Sequence, residues 1–128
     1  MGKPVVFVID DDESVCRSLR RLMKSVGLNV RTFTLAEDFL NQGCQNMAGC
    51  LVLDVRMPGM NGLELQKILV DSCSNMPIIF MSAHGDISAI EQGLRAGAIA
   101  FLQKPFEDQD LIEKVNSALS RFKDVPEP

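Results

Sequence analysis

The apolar run Val5-Val6-Phe7-Val8-Ile9 and the acidic group Asp10-Asp11-Asp12-Glu13 directly after it decide how this chain folds. Five consecutive apolar residues, most of them β-branched, are typical of a strand buried on both faces of a parallel sheet. The abrupt change to carboxylates marks the carboxyl end of that strand, where open α/β sheets bind their ligands. This stretch therefore predicts a buried strand that delivers acidic side chains to one edge of a sheet.

Similar apolar runs recur along the chain and alternate with helical patterns. Two more buried strands are predicted at residues 50–53 and 78–81, and two weaker ones at 29–33 and 98–102. Apolar residues at helical spacing predict helices at residues 15–26, 35–40, 63–69, 87–96 and 109–122. Alternating strands and helices of this kind predict an α/β protein with a doubly wound parallel sheet and right-handed crossovers.

The composition excludes several other classes of protein. The 128 residues, 46% hydrophobic and 23% charged, fit a single packed domain of ordinary size. The 13 basic and 17 acidic residues give a net charge of −4, so this domain is expected to repel nucleic acid rather than bind it directly. The apolar run at residues 5–9 is too short for a signal peptide or a membrane span, so a cytoplasmic location is expected.

The four cysteines do not form a recognisable metal or disulfide motif. Cys16, Cys44, Cys50 and Cys73 include no Cys-x-x-Cys pair, and His84 is the one histidine that could complete a metal set. Neither a zinc site nor a disulfide framework is therefore supported. We expect the cysteines to be core-filling residues.

Polar residues stand at the carboxyl ends of four predicted strands. The first strand is followed by residues 10–13, the third by Asp54, the fourth by Ser82 and the fifth by Lys104. Carboxylates that converge in one crevice repel one another unless a cation lies among them, and an all-oxygen site for phosphate chemistry favours Mg²⁺. We expect the edge to bind Mg²⁺ and receive a phosphoryl group on an aspartate.

Each of these residues also has a simpler structural interpretation. The aspartates at 10–12 could cap the first helix, and Asp54 could open a turn. Ser82 could be a capping hydroxyl and Lys104 a solvated lysine. The simpler interpretation is weaker for the four segments together, because all of them fall at the same predicted sheet edge.

Taken together, these segments resemble the receiver domain of two-component response regulators. The resemblance covers residues 3–122 and is carried by five motifs, which are Val8-Ile9-Asp10-Asp11-Asp12, Leu51-Val52-Leu53-Asp54-Val55-Arg56-Met57-Pro58-Gly59-Met60-Asn61-Gly62, Pro77-Ile78-Ile79-Phe80-Met81-Ser82-Ala83, Ala96-Gly97-Ala98 and Lys104-Pro105-Phe106. Residues 54–60 together with Ala83-His84-Gly85-Asp86 are most similar to the FixJ-like subgroup. The resemblance implies a flavodoxin-like, five-stranded parallel sheet of order 2-1-3-4-5 with five helices.

The resemblance also implies a role for each acidic residue. Asp54 is the expected phosphoacceptor, Asp11 a direct Mg²⁺ ligand and Asp10 a ligand through water. The backbone carbonyl of Arg56 is expected to take another metal position. Asp12 is a lesser candidate, because an apolar residue lies four places after Asp11, at Val15, whereas the residue four places after Asp12 is a cysteine.

Three further residues complete the implied switch. Ser82 occupies the place of the hydroxyl that moves toward the phosphoryl oxygen, and Phe101 occupies the aromatic switch position. Lys104 is expected to pair with the phosphoryl group, and the Lys104-Pro105 peptide bond is expected to be cis.

Other polar and glycine positions receive mainly structural interpretations. Gly59 and Gly62 are expected to serve the tight turn after Asp54 rather than the chemistry. His84 has no visible partner, so we expect it to be an ordinary loop residue rather than a base for hydrolysis. The basic face of the first helix is expected to be solvated, with docking to a histidine kinase as the alternative; its residues are Arg17, Arg20, Arg21 and Lys24.

The implied function is a signalling switch rather than an enzyme, apart from autocatalytic phosphorylation and dephosphorylation. A sensor histidine kinase or a phosphotransfer protein would phosphorylate Asp54, and the surface of the fourth helix, fifth strand and fifth helix would change to control an output, expected to be transcriptional. A phosphorylation-dependent homodimer is expected at that surface, with Ile90 in the interface. Residues 3–123 would form the receiver domain, and 124–128 a tail or the start of a linker to an effector domain.

One alternative function uses similar chemistry. Small Mg²⁺-dependent phosphatases of the haloacid dehalogenase type also combine an aspartate nucleophile with a serine or threonine, a lysine and Mg²⁺. Their nucleophile lies in an Asp-x-Asp motif after the first strand, whereas Asp54 follows the third strand here. A dinucleotide-binding protein is disfavoured, because no Gly-x-Gly-x-x-Gly follows the first strand.

Overall fold

Within the part of the chain that the structure describes, five strands alternate with five α-helices. The computed structural model describes residues 3–83 and 85–123, so His84 and the predicted tail at 124–128 lie outside the described residues. The elements are β1 (Val5–Ile9), α1 (Glu13–Ser25), β2 (Asn29–Phe33), α2 (Ala36–Asn41), β3 (Gly49–Asp54), α3 (Gly62–Asp71), β4 (Ile78–Ser82), α4 (Ile87–Arg95), β5 (Ala100–Gln103) and α5 (Asp108–Lys123). A short 3₁₀ helix, Cys44–Asn46, precedes β3 and was not predicted.

The strands form one parallel sheet of order β2-β1-β3-β4-β5, which confirms the predicted fold class and topology. The two central strands β1 and β3 pair in register from Val5 opposite Gly49 to Ile9 opposite Leu53. Since this register is maintained to the carboxyl ends, the residues that follow β1 and β3 emerge side by side. The geometry of the sheet therefore determines where the polar residues meet.

Alternation along each strand divides the core into two layers. In β1, Phe7 and Ile9 point toward the side covered by α2, α3 and α4, while Val6 and Val8 point toward α1 and α5. Both sets are fully or almost fully buried. The apolar run that predicted this strand thus reflects burial on both faces, as expected for a central parallel strand.

Several predicted boundaries and burials differ from the structure. The fifth strand begins at Ala100 rather than Ala98, because the Ala98 N–H closes α4 on the Gly93 carbonyl at 3.0 Å. Cys16, Cys44 and Cys50 are buried, as predicted for core residues. The prediction is wrong for Cys73, which is exposed in the turn after α3 with a positive φ of 60°.

The predictions for the helical faces need two corrections. Ile90 is predicted to lie in the interface on the outer surface of α4, but it is buried, with only 8% of the residue exposed. Ile87 is 67% exposed and Leu94 is 38% exposed, so these residues form the apolar part of the outer face. On α1, Arg20 is not simply solvated, because its guanidinium donates to the Thr32 hydroxyl at 2.7 Å.

Among the described residues, none of the helices has the length and apolar character that a membrane crossing requires.

The acidic site at the carboxyl edge of the sheet

Three carboxylates from two strand ends meet at this edge. One oxygen each of Asp10, Asp11 and Asp54 lies within 4.8 Å of the others. Asp10 is fully buried and Asp54 nearly so, whereas Asp11 is exposed. Two buried carboxylates and one exposed carboxylate thus surround a point that a cation could enter from solvent, as the sequence predicted.

Lys104, which follows the edge strand β5, contacts this carboxylate cluster. Its Nζ lies 2.7 Å from Asp10 Oδ2 and 3.3 Å from Asp54 Oδ2. Burial lowers the pKa of Lys104, but the hydrogen bond to Asp10 and the charges of both aspartates outweigh it and keep the pKa above its usual value. The ammonium is therefore charged and partly neutralises the two buried carboxylates. The Lys104-Pro105 peptide bond is cis, as predicted.

One ammonium does not fully compensate the buried aspartates. Burial, followed by the charge of Asp10, raises the pKa of Asp54 to about 6, against the opposing effects of Lys104 and the Arg56 N–H. A carboxyl group with a raised pKa is one whose charged form lacks sufficient positive partners. The donor set consists of hard carboxylate oxygens, so it fits a divalent cation such as Mg²⁺.

Asp12 has a different role from its two neighbours. It is the N-cap of α1, and its Oδ1 accepts hydrogen bonds from the Ser14 N–H at 2.9 Å and the Ser14 hydroxyl at 2.6 Å. These hydrogen bonds lower the pKa of Asp12. The capping interpretation therefore holds for Asp12, while Asp10 and Asp11 point into the acidic cluster.

The segment after Asp54 turns back tightly before α3 begins. The Arg56 N–H donates to Asp54 Oδ1 at 3.2 Å, and the Gly62 N–H donates to the Val55 carbonyl at 3.0 Å. Gly59 has a φ of +72°, and a Cβ on Gly62 would lie 2.4 Å from the Asp54 carbonyl oxygen. Both glycines are thus needed for conformation, as predicted.

Ser82 ends β4 and Phe101 lies on the neighbouring strand β5, where it pairs with Phe80. Asp54 pairs with Met81 in the sheet, so Ser82 emerges one residue beyond the acceptor. Its hydroxyl is buried and has no hydrogen-bond partner among the described residues. Phe101 is 39% exposed on β5, which places an aromatic ring at the surface next to α4 and α5.

Sequence reasoning missed one contact of the site. Arg56 Nε donates to Asp86 Oδ1 at 2.6 Å, which joins the segment after Asp54 to the start of α4. In the sequence, Asp86 stands out only as part of the FixJ-like segment Ala83-His84-Gly85-Asp86 before the fourth helix. Nothing in local spacing pairs two residues thirty positions apart, so only their shared position at the sheet edge could have indicated the contact.

The chain matches the family model of the response regulator receiver domain over residues 6–116. It is 49% identical over 115 residues to the transcriptional regulatory protein TdiR of Thauera aromatica, covering 90% of this chain and 51% of TdiR. It is 45% identical over 116 residues to the transcriptional regulatory protein FixJ of Azorhizobium caulinodans, covering 91% and 55% of the two chains. The structure resembles the crystal structure of FixJ-N with a TM-score of 0.86 and 35% identity, covering both chains completely.

A parallel α/β sheet with three carboxylates and a lysine at its carboxyl edge is the arrangement found in the receiver domains of signalling proteins. The chain belongs to the response regulator receiver domain family, and its expected similarity to FixJ-type regulators is confirmed. Membership of this family implies a cognate histidine kinase and favours the signalling function over the phosphatase alternative. The chain spans about half the length of the curated relatives that it matches.

The raised pKa of Asp54 predicts a pH-dependent effect of one substitution. The folded protein keeps a proton on Asp54 up to pH about 6, whereas the unfolded chain loses it near the ordinary value of 3.8. The stability associated with this group is therefore complete below its unfolded pKa and is lost as the pH rises to about 6. Without divalent cations, Asp54→Asn should raise the melting temperature at pH 7.5 by about 2–5 °C, and by less at pH 4.5.

Thermal unfolding followed by circular dichroism in EDTA measures this difference. The comparison of variant with parent at each pH removes the contribution of the other carboxyl groups, which titrate in both proteins. An equal shift at the two pH values would contradict the raised pKa of Asp54.

Proposed function

We propose that this domain accepts a phosphoryl group on Asp54 from the phosphohistidine of a sensor histidine kinase or phosphotransfer protein. The observation that carries the proposal is the Lys104 ammonium between Asp10 and Asp54, beside a three-carboxylate cluster. This arrangement offers an oxygen nucleophile on Asp54, a fixed cation beside it and ligands for a second cation. We propose the boundaries 3–123 for the domain, with 124–128 as a tail or linker.

The residues that would hold Mg²⁺ are the carboxylates of Asp10, Asp11 and Asp54 and the backbone carbonyl of Arg56. The exposed carboxylate of Asp11 would bind it directly, and the buried Asp10 would bind through water. Mg²⁺ supplies positive charge that stabilises the phosphoryl oxygens during transfer. The raised pKa of Asp54 supports this assignment, because the cluster needs more positive charge than Lys104 provides.

Phosphoryl transfer proceeds by attack of an Asp54 carboxylate oxygen on phosphorus. The new O–P bond forms as the P–N bond of the phosphohistidine breaks. The electron pair of the broken P–N bond remains on the imidazole nitrogen. Lys104 then pairs with a phosphoryl oxygen instead of the free carboxylate. The Ser82 hydroxyl is buried without a partner among the described residues, so it can donate to another phosphoryl oxygen.

The signal leaves through the surface formed by α4, β5 and α5. Movement of Ser82 toward the phosphoryl group opens space for Phe101 to turn inward from its half-exposed position. The outer face of α4 presents Ile87 and Leu94, so removal of the Phe101 ring changes an apolar surface suited to reversible association. We propose a phosphorylation-dependent homodimer here that controls a transcriptional output, without direct contact between this domain and DNA.

The first test of the function is covalent phosphorylation. Incubation with Mg²⁺ and acetyl phosphate should add the mass of one phosphoryl group, because the small donor replaces phosphohistidine. Intact mass spectrometry should show this adduct in the parent protein and not in Asp54→Asn, and hydroxylamine should remove it. An Asp54→Asn protein that gains the same hydroxylamine-sensitive group would refute the assignment.

The second test separates the two neighbouring aspartates. Asp11→Ala should weaken Mg²⁺ binding by at least about tenfold, because its carboxylate is a direct ligand. Asp12→Ala should change Mg²⁺ affinity by less than about twofold, because Asp12 caps α1, and should instead lower the unfolding free energy through loss of that cap. Isothermal titration calorimetry and urea unfolding measure the two effects. Equal losses of Mg²⁺ affinity would show that both carboxylates enter the metal site.

The third test concerns the output surface. Light scattering should show a larger molar mass with beryllofluoride, a non-covalent phosphoryl mimic, than without it. Ile87→Glu should abolish this increase, because a two-fold interface would meet the introduced charge twice. Val70→Glu is the matched control, since Val70 is 52% exposed on α3 and lies outside the proposed surface. A mass that stays monomeric in both states, or a dimer that Ile87→Glu leaves intact, would contradict this proposal.

A further inference from the structure

Arg56 and Asp86 form an ion pair between an exposed side chain and a buried one. The Asp86 carboxylate is only 6% exposed, whereas the Arg56 side chain that pairs with it is 74% exposed. The second carboxylate oxygen, Oδ2, is buried and has no hydrogen-bond partner among the described residues. Burial of a charge with one oxygen unpaired is costly, so the position of Asp86 is not explained by stability alone.

The side chain of Asp86 also does not cap α4. It occupies the N-cap of α4, yet its side chain makes no capping hydrogen bond. Asp12 at α1 and Asn61 at α3 occupy the same position in their helices, and both accept a hydrogen bond from the first turn. The carboxylate of Asp86 is therefore directed to Arg56 at the expense of the cap that aspartate normally provides.

Arg56 is held at two points. Its backbone N–H donates to Asp54 Oδ1, and its side chain is fixed by Asp86 at the start of α4. The backbone carbonyl between these two attachments is the one proposed above as a metal ligand. A change in the side-chain attachment therefore alters how firmly that carbonyl is placed beside the acceptor.

We infer that Asp86 is a positioning residue for the phosphoacceptor site, which acts through the side chain of Arg56 and couples the metal-binding segment to the start of α4. The inference rests on the proposed function, because it concerns the Mg²⁺ site of that same reaction. Asp86 holds Arg56 in the conformation that the metal requires. If the Arg56 carbonyl holds Mg²⁺ as proposed, binding of the cation would in return favour the Arg56–Asp86 pair and the present position of the α4 N-terminus.

A double-mutant cycle on the whole chain tests the coupling, with Mg²⁺ affinity measured by calorimetry. Asp86→Asn should weaken Mg²⁺ binding by about three- to tenfold in the parent protein, because Arg56 loses its anchor. In an Arg56→Ala background the same substitution should change the affinity by less than about 1.5-fold, because no anchored side chain remains. Arg56→Lys should keep part of the Asp86 dependence, because lysine retains the charge.

Two controls separate positioning from a general effect of the substitution. Asp71→Asn removes an exposed carboxylate from its i,i+4 pair with Lys67, at 3.7 Å, and should leave Mg²⁺ affinity unchanged. Thermal unfolding in EDTA verifies that each variant is folded at the titration temperature. If Asp86→Asn does not fold, the cycle is repeated with Asp86→Ala, which removes the carboxylate and leaves no side chain that could cap α4.

The outcomes distinguish this inference from the function on which it rests. An equal loss of affinity in the parent and Arg56→Ala backgrounds, or no loss in either, would overturn the role of Asp86 while leaving Mg²⁺ binding and Asp54 phosphorylation intact. A parent protein that neither binds Mg²⁺ nor gains a phosphoryl group would overturn the proposed function, and this inference with it. The coupling is supported if Asp86→Asn lowers Mg²⁺ affinity in the parent and Arg56→Lys backgrounds but not in the Arg56→Ala background.

Discussion

The structure depends on how two buried carboxylates are tolerated side by side. Asp10 and Asp54 emerge from adjacent central strands, and the Lys104 ammonium lies between them at 2.7 and 3.3 Å. Without it, the two buried carboxylates would repel each other strongly. Even with it, the pKa of Asp54 rises to about 6, so the site remains deficient in positive charge. The same deficiency makes the site suited to a divalent cation and a phosphoryl group.

The scaffold explains why these groups can be held so closely. Pairing of β1 with β3 places successive residues opposite one another up to Ile9 and Leu53, so the following aspartates are neighbours. Behind Asp54, Gly62 allows α3 to begin where any side chain would collide with the Asp54 carbonyl. Two layers of apolar side chains support the sheet from both faces. The reactive groups are thus placed by rigid strands and one tight turn.

Two routes connect this edge to α4 and β5. In the proposed function, one runs from the buried Ser82 hydroxyl to the half-exposed ring of Phe101 on the neighbouring strand. The other runs through side chains outside the sheet, from Arg56 to Asp86 at the start of α4. They differ in kind, because the Ser82 hydroxyl has no partner among the described residues and would donate to a phosphoryl group, whereas the Arg56–Asp86 pair is already formed. Both routes would link α4 to the proposed metal and phosphoryl site.

The sequence by itself determined the central strands, the α/β class and most of the acidic edge. Continuous β-branched runs have few alternatives to a doubly buried strand, and residues at the carboxyl ends of parallel strands must share an edge. The strand order and the roles of Asp54, Ser82 and Lys104 came from family resemblance carried by long motifs. Only the tertiary structure decided that Asp12 caps α1, that Cys73 is exposed, that Ile90 faces the core and that Arg56 pairs with Asp86. These outcomes depend on side-chain direction and on contacts between distant elements, which periodicity along the chain does not contain.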